Sequence, residues 1–253
     1  MKDNSYLKKY NNYKEKNKQR YIKYKKIHNN LSIEKIITYV NIGLDNSFYT
    51  NIKNAQTELG NKILVNKYLK LNKNYIPNDL ERINNKYFID GNTNVRLLRK
   101  EAKNAFEKLS EDSINNKTPV YGQSAYRSYL RQKEIYQRSI KEYGFNNTEK
   151  DTARPGHSEH QTGLTIDVSS NKQGNMLNFE NTSSFKWMKN NAYKYGFILR
   201  YPKGKEKIHG FIYESWHYRY VGKKIAADMY KNHPELTYDE YYYKYIENKK
   251  NTF

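Results

Sequence analysis

Residues 158–167 read Ser158-Glu159-His160-Gln161-Thr162-Gly163-Leu164-Thr165-Ile166-Asp167. Gly163 breaks the chain after His160, and the apolar run Leu164–Val168 has the character of a short strand. The spacing therefore predicts a turn that folds back onto a strand, carrying an imidazole and a carboxylate toward one point. Imidazole nitrogen and carboxylate oxygen are both zinc donors at about 2.0–2.2 Å. Taken alone, the pair reads equally as a His–Asp contact on a surface.

A second stretch, Glu214-Ser215-Trp216-His217-Tyr218-Arg219-Tyr220-Val221-Gly222, changes that balance. Glu214 and His217 are close enough in sequence that even an extended chain keeps their Cα atoms within about 10 Å. A hydrolytic zinc site takes about three protein ligands, leaves one position open for water, and keeps a carboxylate base beside it. His160, Asp167 and His217 fill the ligand places, and Glu214 fills that of the base. The chain has no cysteine, so a metal here must take His, Asp or Glu, and no disulfide is available.

Around these motifs the pattern is α+β. Apolar positions from Val95 to Leu109 step by three or four and predict an amphipathic helix. Val120–Ser124 reads as a strand, followed by a helix over Tyr129–Tyr143. Leu164–Val168 and Phe197–Arg200 read as short strands flanking a helix near Phe185–Tyr195. Thr237-Tyr238-Asp239-Glu240 has capping-box form and opens a last helix. Ser32 caps a short helix with Ile33, Ile36, Ile37 and Val40 on one face, ended by Gly43. Phe48–Thr50 and Ile63–Val65 read as extended segments. The expected organisation is a basic tether or solvated helix over 1–30, an extension over 31–60, a catalytic domain over 61–247 and a tail over 248–253. Strands and helices mix without regular βαβ alternation, which predicts a small central antiparallel sheet with helices around it.

Forty-six Lys and Arg stand against 26 Asp and Glu, a net charge of +20. Ten of those bases and only two acids lie in residues 1–30. Lys, Asn, Ile and Tyr are all inflated together, which a coding bias explains; attraction to an anionic wall polymer is the functional reading. Nothing beyond charge speaks for a nucleic acid, and no specific nucleic-acid partner is expected. The 27 tyrosines supply apolar faces that compensate for a low aliphatic content. No stretch has the roughly 20 apolar residues of a membrane helix.

Both motifs resemble the VanY-type D-alanyl-D-alanine carboxypeptidases, zinc peptidases related to lysostaphin-type and hedgehog domains. The family pattern Ser-x-His-x-x-Gly-x-Ala-x-Asp, followed by Glu-x-x-His, covers Ser158–Asp167 and Glu214–His217. The similarity runs from Leu64-Val65-Asn66-Lys67 to the last helix. Thr165 stands where the family usually has Ala, and Ser215 where it often has Pro; neither is a ligand. A further segment, Ser124-Ala125-Tyr126-Arg127-Ser128, resembles the family's Ser-x-x-Arg-Ser.

The resemblance implies a monomeric Zn2+ enzyme that removes the C-terminal D-alanine from peptidoglycan stem peptides. Glu214 would be its general base and Arg127 its oxyanion stabiliser. Gln132 and Ser158 match positions that contact the substrate's carboxyl end, and Trp216 is either core or cleft wall. An L,D-carboxypeptidase or endopeptidase would use the same residues, and a non-catalytic wall-binding module would not need Glu214. His209 is expected as a solvated loop residue, with a substrate contact as the other reading. Such an enzyme is expected outside the cytoplasm, its export or anchor segment lying beyond this sequence.

Overall fold

The computed structural model describes residues 5–91 and 96–247. The N-terminal part contains helices α1 (Lys18–Ile27) and α2 (Ile33–Ile42), then the parallel pair β1 (Lys53–Asn54) and β2 (Leu69–Lys70). An antiparallel pair follows, β3 (Leu80–Arg82) with β4 (Leu97–Arg99), and β4 leads directly into α3 (Lys100–Asn115). The remainder comprises β5 (Tyr121–Ser124), α4 (Tyr129–Tyr143), α5 (Phe145–Asp151), β6 (Thr165–Ser169), α6 (Ser183–Asn191), β7 (Phe197–Leu199), α7 (Glu206–His209), β8 (His217–Tyr220), α8 (Lys223–Asn232) and α9 (Tyr238–Tyr241). Among the described residues no helix is long and apolar enough to cross a membrane.

At the centre lies a four-stranded antiparallel sheet in the order β5-β6-β8-β7. Period-two alternation sorts its side chains. Ile166, Val168, Tyr218 and Tyr220 join the main core with Phe106, Leu109, Phe179 and Phe197. Moving one such Leu, Ile or Phe fully out of water is worth about 1.5–3 kcal/mol. Asp167 and His217 point to the opposite face from those core residues, and they are direct cross-strand partners. This register is what brings the two motifs together. A second core uses the rings expected to replace aliphatic bulk: Tyr238, Tyr241, Tyr242 and Tyr243 pack with Ile42, Leu64 and Met229.

Several boundaries differ from expectation. The helix expected over Val95–Leu109 starts at Lys100, because Leu97–Arg99 pairs with Leu80–Arg82 as a strand; Val95 lies outside the described residues. Phe48–Thr50 is a turn in which Tyr49 has φ 62°. Ile63–Val65 is buried without joining a sheet. In the basic N-terminal segment, Leu7 and Tyr21 pack into a cluster with Ile36, Ile37 and Val40, so α1 lies against α2 instead of standing in solvent. The tail 248–253 lies outside the described residues.

Candidate active site

The turn after Ser158 is a 3-10 helix, Glu159–Thr162, closed by Gly163 at φ 66°. A Cβ at Gly163 would lie 2.7 Å from Leu80 Cδ2 and 3.1 Å from Arg99 Cγ, so both the backbone angle and the space demand glycine. This turn puts His160 beside Asp167 of β6: His160 Nε2 is 3.2 Å from Asp167 Oδ2. His160 Nδ1 bonds the Ala125 carbonyl at 2.6 Å, which places its proton there and leaves Nε2 as a lone-pair donor.

From β8, His217 Nδ1 is 3.2 Å from Asp167 Oδ1 and 3.2 Å from Glu214 Oε2. Donor atoms of His160, Asp167 and His217 all lie within 4.8 Å of one another, and all three residues are buried. Asp167 Oδ1 is buried with no hydrogen-bond partner among the described residues. Each Asp167 oxygen faces a different imidazole, Oδ2 toward His160 and Oδ1 toward His217, and this donor set of two nitrogens and one oxygen suits zinc. The residues fit the ion that the motifs imply.

The electrostatics agree. Burial pushes the Asp167 carboxyl up, but the His160 and His217 imidazoles outweigh it and hold it well below the usual carboxylate range. Burial raises Glu214 above that range, against the pull of His217. A carboxylate inclined to accept a proton thus stands beside one that stays ionised.

Arg127 lies in the loop between β5 and α4. A register shift between Gly122 and Ser124 re-aims this end of β5. The Arg127 backbone N–H donates to the His160 carbonyl at 3.1 Å. Its guanidinium donates to Gln132 Oε1 at 2.8 Å and Ser124 Oγ at 3.2 Å, and stands 4.0 Å from Asp167 Oδ2. Ser128 caps α4, so each serine of the Ser-x-x-Arg-Ser segment has a structural task.

A cavity of about 290 Å³ opens on this group and is lined by all eight residues singled out from the sequence: Arg127, Gln132, Ser158, His160, Asp167, Glu214, Trp216 and His217. Gln132 meets the cavity with its amide already engaged, accepting from Arg127 and donating to the Ala153 carbonyl at 2.7 Å. Trp216 does both things the sequence left open, packing against the main core and lining the cavity. Thr165 is fully buried, its hydroxyl without a partner among the described residues, and Ser215 is buried; neither belongs to the group of metal donors.

His209 is not the solvated residue expected. It is 2% exposed, its Nδ1 accepts from the Phe211 N–H, and its ring packs on Tyr201. Also unforeseen is the depth of Glu159. Its side chain is wholly buried, with Oε1 accepting from Arg200 at 2.9 Å and Arg219 at 2.8 Å. Burial raises its carboxyl, but the two guanidiniums prevail and keep it ionised. Its place between Ser158 and His160 was the only sequence signal, and polar residues beside a motif are usually solvated. Tyr201, whose ring lies 4.7 Å from that of His217, had no signal of its own.

The family model described as VanY, D-alanyl-D-alanine carboxypeptidase, matches residues 95–223, which contain both motifs. YodJ of Bacillus subtilis (strain 168), a carboxypeptidase by name alone, is 43% identical over 72% of this chain. The match covers 66% of YodJ, so the chain spans just under two thirds of that relative's length. Among solved structures, the LdcB LD-carboxypeptidase superposes with a TM-score of 0.70 at 38% identity, covering 79% of this chain and 94% of that one. The vancomycin resistance D,D-pentapeptidase VanY, solved with Zn(II), gives a TM-score of 0.59 at 29% identity, covering 72% and 98%. The chain belongs to the VanY family of D-alanyl-D-alanine carboxypeptidases.

Proposed function

We propose that the protein is a zinc peptidase that removes the C-terminal D-alanine from peptidoglycan stem peptides, acting outside the cytoplasm. One observation carries this reading: His160, Asp167 and His217 converge in a buried group while Glu214 reaches the same His217 nitrogen at 3.2 Å. The two imidazoles and Asp167 would hold the ion, which when bound would acidify a water and polarise the scissile carbonyl.

The chain's own groups then divide the work. Glu214, raised by burial, takes the proton of the attacking water, keeps it, and returns it to the departing amine. Arg127 faces the same cavity and donates to the carbonyl oxygen as negative charge develops there. Gln132 and Ser124 hold the guanidinium fork for that purpose, while Ser158 and Trp216 line the substrate's path. In this reading residues 61–247 form the catalytic domain, with 31–60 as an extension to it.

Removal of D-alanine from a pentapeptide ending in D-Ala-D-Ala is the first specificity we assign. L,D-cleavage of the tetrapeptide is the second, favoured by the likeness to the LdcB LD-carboxypeptidase. Mass spectrometry of defined stems decides between them. Loss of one alanine from the pentapeptide alone supports D,D-cleavage, loss from the tetrapeptide supports L,D-cleavage, and intact substrates with zinc-loaded protein would overturn the assignment.

A further inference from the structure

A second cavity, of about 540 Å³, lies between the N-terminal segments and residues 242–247. It shares no lining residue with the catalytic cavity. None of its lining residues falls within the stretch matched by the VanY model.

Its walls are basic. Lys14, Lys16, Arg20 and Lys53 line it, against Glu247 as the single acid. Glu247 is already paired with Lys14, and Arg20 holds Asp45 through two nitrogens at 2.6 and 2.7 Å. The side chains of Lys16 and Lys53 have no ion-pair or hydrogen-bond partner among the described residues. Like charges gathered about one space repel. Burial lowers Lys14, Glu247 restores part of that, and Lys16 and Lys53 push it down further. Tyr243, 5% exposed, also lines the cavity, and its hydroxyl has no partner among the described residues. With no protein partner among them, that hydroxyl is available to donate to a ligand in the cavity. Burial keeps that phenol neutral and therefore a donor.

We propose that this cavity binds a phosphodiester-linked, hydroxyl-rich polymer, with Lys16 and Lys53 on the phosphates and Tyr243 donating to an oxygen of the chain. The cations left free are ammoniums, point charges that suit tetrahedral phosphate. The guanidinium fork that would favour a planar carboxylate is spent on Asp45. The cavity is larger than the catalytic one and within the size range of small-molecule sites, so it takes a polymer segment and not only a lone ion. Such a site would tether the enzyme to an anionic matrix independently of the catalytic group.

The test is calorimetric titration of the full chain with synthetic poly(glycerol phosphate), with inorganic phosphate and an uncharged N-acetylglucosamine oligomer as separate arms. Binding of the phosphate polymer that weakens with salt is expected. Lys16→Ala with Lys53→Ala should weaken it about tenfold or more, and Tyr243→Phe should weaken it less. Lys133→Ala with Lys141→Ala, outside the cavity, should leave it unchanged. Equal loss in that control pair would reduce the effect to general charge and overturn the site. Inorganic phosphate binding as tightly as the polymer, or the uncharged glycan binding regardless of the lysines, would overturn the polymer assignment. Stem-peptide hydrolysis by the lysine variants should match the unaltered protein, which separates this proposal from the catalytic one.

Discussion

Glu159 Oε2 and His217 Nε2 face each other 3.8 Å apart, both buried and neither with a hydrogen-bond partner among the described residues. The other oxygen of Glu159 is fixed by two guanidiniums, and the other nitrogen of His217 faces Asp167 and Glu214. The negative charge of Glu159 at that distance favours a proton on His217 Nε2, which leaves Nδ1 as the donor nitrogen toward Asp167. Glu159→Gln should weaken zinc binding about 10–100-fold in a chelator competition. It should also lower the thermal midpoint, since breaking a buried ion pair costs about 3–5 kcal/mol. Unchanged zinc affinity in the folded variant would contradict the role.

Arg127 depends on fork geometry. Its Nη1 and Nη2 meet Gln132 and Ser124 separately, an arrangement one ammonium does not reproduce. Arg127→Lys should therefore lose nearly as much kcat/KM as Arg127→Ala, about 10²–10³-fold, with zinc content unchanged. Steady-state kinetics on the preferred stem peptide checks this, and a near-normal rate in the lysine variant would argue against it.

Gly163 should not tolerate a methyl group. Gly163→Ala forces a side chain into the left-handed region, about 1–2 kcal/mol, and drives it against Leu80. Overpacking adds about 1–3 kcal/mol. Urea denaturation should show the sum of these losses, and Leu80→Ala in the same chain should recover only the steric part.

His209 makes folding acid-sensitive. Burial is the chief cause of its lowered pKa, about 4, so the folded protein holds it neutral while the unfolded chain protonates it near 6.5. Between those values the unfolded state binds more protons, so stability rises with pH. It is fully present above about 6.5 and is lost as pH falls toward about 4, by at most about 1.4 kcal/mol per unit. His209→Asn should flatten the difference between urea midpoints at neutral and mildly acidic pH; an unaltered slope would assign it to other groups.

What the sequence revealed follows from how local each signal was. The helix Tyr129–Tyr143 was readable to its ends because Ser128 caps it and Gly144 follows it. The capping box at Thr237 likewise forms as read. The metal donors were readable because two short motifs contain every one of them. The strand Leu97–Arg99 was hidden, since its partner Leu80–Arg82 is remote and helical spacing continues smoothly across both elements. Leu7 and Tyr21 were obscured by the lysines around them, which snorkel outward while the apolar residues pack on α2. The burial of Glu159 and His209 was illegible for a different reason. Their partners Arg200, Arg219 and Tyr201 lie in other elements, and only the folded chain brings them together.

If His160, Asp167 and His217 share one zinc ion beside Glu214, the ion will be visible in an anomalous difference map recorded at the zinc edge from crystals of protein loaded with one equivalent of zinc. A single peak is expected at about 2.0–2.2 Å from His160 Nε2, an Asp167 oxygen and His217 Nδ1, with Glu214 next to the open side. A peak elsewhere, or none at that group, would rule the shared ion out.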